Sequence, residues 1–87
     1  MHSIKEVKVL RKYVLKVKFE NDSIYELDMK PYLYGEVFEP LKDETIFRQV
    51  TVDKELGTIT WPTGADFCPD YLYQKMEEEN KTTVLHR

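Results

Sequence analysis

A chain of 87 residues is long enough for one domain with a modest core and too short for two. Its 41% hydrophobic and 33% charged residues are those of an ordinary folded, water-soluble protein, and the start, charged from Lys5 on, never gives the continuous apolar stretch of a signal peptide or membrane helix, so neither is expected. Cys68 stands alone, which excludes an internal disulfide and suits the reducing cytoplasm.

The net charge of −3 is unevenly spread: residues 1–20 hold six Lys/Arg against two acids, a balance of +4, so the remainder stands at −7. Such asymmetry can mark a surface for an anionic partner. Alternating charge on the wet face of a hairpin is equally the way a sheet stays soluble.

In chain order, Ile4 to Leu10 is rich in β-branched residues and predicts a first strand, separated by Arg11-Lys12 from a second. There Tyr13, Leu15, Val17 and Phe19 alternate with Val14, Lys16, Lys18 and Glu20, the period of two that gives one buried and one wet face. Asn21-Asp22-Ser23 supplies turn residues, and Ile24 to Met29 alternates again with Tyr25 and Leu27 inward. Lys30 to Gly35 breaks the pattern, and with Pro31 in a first turn and Gly35 as its stop it predicts one short helical turn.

Val37 to Leu41 is an apolar connector, after which Asp43 caps a brief helix over Glu44 to Gln49 with Ile46 and Phe47 inward. Val50 and Val52 resume a strand, residues 54–57 turn the chain, and Thr58 to Trp61 returns with Ile59 and Trp61 buried. Two prolines and a glycine restrict the loop from Pro62 to Pro69, which opens a helix expected to run to about Glu79 with Leu72 and Met76 on one face. The fold class is therefore α+β: an antiparallel meander of about five strands, a helical turn, a short helix and a C-terminal helix packed on the sheet. Residues 1–79 form the domain, and 80–87 carry no assignable pattern and are expected to be a flexible tail.

The stretch Trp61 to Tyr73, WPTGADFCPDYLY, resembles the signature of a bacterial family catalogued as domain of unknown function 2442. Phe19, Asp28-Met29, Pro31, Phe38-Glu39-Pro40-Leu41, Asp43, Phe47 and Gly57 to Trp61 fall where that family has its corresponding features, so the likeness covers about residues 4 to 73. Two departures lie in turns: Thr63 stands where members usually have Asn, and Asp22-Ser23 where they have Asp-Gly. The resemblance implies a small α+β domain, alone or fused to a helix-turn-helix region, often encoded beside another small protein in an arrangement like a toxin and antitoxin pair. It implies no reaction. Nothing after Glu79 is long enough for a helix-turn-helix.

Among candidate sites, Asp66, Cys68 and Asp70 are the densest chemical cluster. A helix start can activate a thiol, but a nucleophilic cysteine also wants a base, and His2 and His86 lie near termini expected to be mobile. The plainer reading buries Cys68 under the loop and spends Asp66 and Asp70 on backbone amides of the loop and helix start. No His or Cys pair has metal-ligand spacing, and Gly35, Gly57 and Gly64 are too isolated for a phosphate loop, so neither metal nor cofactor is expected. Catalytic residues are not assigned, and the chain is read as a non-enzyme.

Trp61 and Phe67 are expected to fill the core, whereas Tyr71 and Tyr73, pointing to different sides of the helix, cannot both be covered. Tyrosines on a rigid support are good partner anchors. The expected contact surface is Tyr32, Tyr34, Asp66, Asp70, Tyr71 and Tyr73, with a protein partner, for instance the product of a neighbouring gene. A homodimer through a sheet edge is a further expectation left open. The alternatives are a nucleic-acid regulator using Lys5, Lys8, Lys16 and Lys18, and an enzyme of unknown type. Overall acidity and the inward register of Tyr13 and Phe19, which removes stacking platforms from among the lysines, weigh against the former.

Overall fold

The computed structural model describes residues 2–85, with side chains described as far as Glu79. Strands β1 (Ile4–Arg11), β2 (Val14–Phe19) and β3 (Ile24–Asp28) form an antiparallel meander in the order β1-β2-β3. Its register pairs Val7 with Val17 and Val9 with Leu15 on one side, then Leu15 with Leu27 and Val17 with Tyr25 on the other, so the expected inward residues share one face. Lys12 takes the positive φ of the first turn, and Asp22 that of the second, where the Ser23 N–H bonds Asn21 Oδ1 at 3.0 Å.

Three short helical pieces bridge to the second half. A 3₁₀ turn over Lys30–Tyr32 starts at Asp28, whose Oδ1 accepts the Lys30 N–H at 3.0 Å. The apolar connector proves to be partly helical, with a second 3₁₀ turn at Glu39–Lys42 that Pro40 opens and Leu41 anchors in the core. Helix α1 (Glu44–Phe47) follows, capped as expected by Asp43 through the Thr45 N–H at 2.9 Å. Strands β4 (Thr51–Asp53) and β5 (Thr58–Thr60) then make a separate two-stranded ladder.

The five strands thus divide into sheets of three and two, joined where the Ile4 N–H meets the Gly57 carbonyl at 2.8 Å. The helical segments between β3 and β4 carry the second hairpin away from the free edge of β3 and bring it beside β1. Helix α2 (Pro69–Leu85) closes the core, with Leu72 and Met76 buried. It extends six residues beyond its expected end at Glu79, because residues 80–85 have no proline or glycine to stop it. Of the expected tail, 86 and 87 lie outside the described residues.

The core runs between the meander, α2 and the Trp61 loop, and includes Phe19, Met29, Leu33, Leu41, Phe47, Ile59 and Trp61. Trp61 is also tied by polarity, its Nε1–H donating to the Phe47 carbonyl at 2.9 Å. No helix among the described residues is long and apolar enough to cross a membrane.

Candidate functional site

The loop after Trp61 is shaped by its own backbone. The Gly64 N–H returns to the Trp61 carbonyl at 2.9 Å, the Trp61 N–H reaches the Ala65 carbonyl at 3.0 Å, and Asp66 pairs with Thr60 across an isolated antiparallel bridge. Thr63 Oγ1 accepts the Ala65 N–H at 3.4 Å. Along the following stretch Ala65 and Phe67 point inward while Asp66 and Cys68 point out. Cys68 is therefore exposed, which corrects the expectation of a buried thiol: alternation places it on the wet side just before the helix. The buried Thr58 hydroxyl donates to the Phe67 carbonyl and fixes this strip against β5.

Facing the strip are the residues of the 3₁₀ region. Leu33 sinks into the core, leaving Tyr32 half-buried and Tyr34 67% exposed on its two sides. The Phe38 ring stacks on Phe67 with centroids 4.6 Å apart and an interplanar angle of 19°. From α2, Tyr71 meets Tyr32 edge-on at 6.3 Å while 39% of its surface stays exposed. Together these groups enclose an open cleft of about 370 Å³ lined by Tyr32, Tyr34, Phe38, Asp66, Phe67, Cys68 and Tyr71. Burial pushes the Tyr32 phenol pKa up, and the charges of Glu79 and Glu78 act in the same direction against Lys75.

Four of the six expected partner-binding residues, Tyr32, Tyr34, Asp66 and Tyr71, thus share one site. Asp70 and Tyr73 do not. Asp70 Oδ1 accepts the His2 backbone N–H at 2.7 Å, and the Tyr73 ring stacks on His2 at 3.6 Å with edge contacts to Phe19 and Tyr25. His2 is therefore held, contrary to the expectation of a mobile end, and Asp70 serves the N-terminal segment where the sequence suggested a helix-start amide. Hydrogen bonding from Ser23, then Asn21 and Tyr25, lowers the Tyr73 pKa, while burial chiefly raises that of Tyr25. Phe38 is a site residue that sequence reasoning missed. No hydrophobic period marks it, and its only signal is its place before Pro40 in a short apolar run.

The lysines of β1 and β2 form a mixed surface. Lys8 pairs with Lys16 in register, but Glu6 faces Lys18 and Glu26 faces Lys16, and Lys5 and Lys18 both approach Asp22, at 3.7 and 3.9 Å. Acids interleaved in this way dilute the field that phosphates would need. Among the described residues no group of three or more His, Cys, Asp or Glu could hold a metal ion.

The family model for DUF2442, described as a protein of unknown function, matches residues 4–78, which include both ladders, the cleft and the visible side chains of α2 up to Glu78. The chain belongs to this family. No curated protein and no solved structure matches it. The turn at Asp22-Ser23 is held locally, since Asp22 itself takes φ +69° and the Ser23 N–H bonds Asn21 Oδ1.

Proposed function

We propose that this DUF2442 protein is a non-catalytic interaction module whose aromatic cleft seats a segment of a protein partner. The observation that carries this reading is the exposure of Tyr34 and Tyr71 in the same cleft as the Phe38–Phe67 stack, which is already packed against the core. Such anchors gain contact area on binding with little ordering cost. In keeping with the paired arrangement that the family resemblance implies, the partner is a small neighbouring protein, with an antitoxin-like or regulatory role for this chain. The reading places the pair in the cytosol, where the exposed Cys68 thiol stays reduced.

The test is isothermal titration calorimetry of the neighbouring gene product against the wild-type protein and a Tyr34→Ala/Tyr71→Ala variant. Loss of two central aromatic anchors should weaken binding by about 30-fold or more, the range of a hot-spot truncation. Undiminished affinity in the double variant, with its fold intact by circular dichroism, refutes the proposal.

A further inference from the structure

The lining of the cleft combines the rings of Tyr32, Tyr34, Phe38 and Tyr71 with one ionisable acid, Asp66, and includes no lysine or arginine. That composition is selective by charge. Aromatic faces carry negative electrostatic potential and attract a cation, and a carboxylate at the same mouth supplies its counter-charge. An apolar side chain entering the cleft would strip water from Asp66 without pairing it, and an acidic one would be repelled. Of the charged side chains that act on Tyr32, two are acidic, Glu79 and Glu78, against one cation, Lys75. Tyr71 already attracts a cation from its own helix, with Lys75 Nζ 5.5 Å from the ring centroid.

Resting on the interaction reading, we propose that the cleft recognises an arginine side chain in a basic segment of the protein partner, its guanidinium stacked on the aromatic wall and paired with Asp66. Arginine fits better than lysine because its planar group can lie against a ring and present two parallel N–H donors to one carboxylate. Asp66 enters the fold through its backbone bridge to Thr60, so its side chain is free to be changed to the isosteric amide.

The test is a titration of the ¹⁵N-labelled full chain, followed by amide chemical shifts, with three capped tripeptides, Gly-Arg-Gly, Gly-norleucine-Gly and Gly-Glu-Gly. The arginine peptide should give saturable shifts centred on residues 32–34, 66–68 and 71, at least threefold tighter than either other peptide, and Asp66→Asn should weaken it at least threefold. Equal affinity for norleucine, unchanged affinity in Asp66→Asn, or shifts confined to other surfaces overturns the proposal. Its failure is separable from that of the interaction module. If the neighbouring protein loses affinity for the tyrosine double variant but binds Asp66→Asn normally, the module stands and the arginine assignment falls.

Discussion

Replacing Gly57 with alanine tests how the two ladders are joined. Gly57 sits at φ +69°, and a Cβ built there would lie 2.9 Å from Ser3 Oγ and 3.2 Å from Ser3 Cβ. The left-handed backbone alone costs an L-residue about 1–2 kcal/mol. The contact with Ser3 adds about 1 kcal/mol or more, as overpacking in a tight site does. The Ser3 backbone cannot retreat freely, since its carbonyl accepts the Glu20 N–H at 2.8 Å and the next residue donates to Gly57 itself. Gly57→Ala should therefore destabilise the fold by about 2–3 kcal/mol, a fall in melting temperature of roughly 8–24 °C for a domain of this size. In a Ser3→Gly background the nearest remaining atom is Ser3 Cα at 3.7 Å, an ordinary contact, so only the backbone cost should persist. Urea denaturation of the four proteins in this cycle should give a coupling of about 1 kcal/mol. A loss below about 0.5 kcal/mol in Gly57→Ala, or an uncoupled cycle, would refute the close approach of β1 to the second hairpin.

Trp61→Phe should cost about 1–3 kcal/mol in chemical denaturation, because it leaves the buried Phe47 carbonyl without the indole donor. Cys68, being exposed, should react with Ellman's reagent in the native state at a rate close to that of a free thiol, and the resulting adduct at the rim of the cleft should block the partner. Protection comparable to a buried cysteine would contradict its placement. In an alkaline absorbance titration Tyr73 should ionise below the ordinary value of 10.0, and Tyr25 and Tyr32 above it, so Tyr73→Phe should remove the earliest phenol and Tyr32→Phe a late one. The raised phenols contribute stability that is complete below pH 10.0 and lost as pH climbs past their folded values. The lowered Tyr73 contributes stability present above 10.0 and lost as pH falls through its folded value.

Periodicity made the meander legible: the alternation from Tyr13 to Glu20 fixes which face is buried, and the register confirms Leu15, Val17 and Phe19 as inward. Local chemistry did the same for the Asp43 cap and for the turn at Asp22. The division into two ladders was not legible, since strand pairing depends on where the helical segments between β3 and β4 deliver the second hairpin, and no local pattern encodes that destination. The cleft was half legible. Tyr32, Tyr34 and Tyr71 stand out in the sequence as aromatics in breaker-rich or helical contexts, and they do converge. Tyr73 and Asp70 share that composition but are occupied by His2, a partner 68 residues away from Asp70 that sequence spacing cannot reveal. Cys68 was misplaced because a small apolar side chain next to a helix reads as core, whereas the extended backbone after Ala65 decides its side.

Residues 2–4 touch three parts of the molecule: His2 the start of α2, Ser3 and Ile4 the Gly57 turn, and Ile4 the end of β2 opposite Phe19. Two small ladders are thereby tied into one unit. Releasing that short stretch would remove the polar ties of the second hairpin and of the start of α2, while the core they share with the meander persists, so heat should reveal a single cooperative transition.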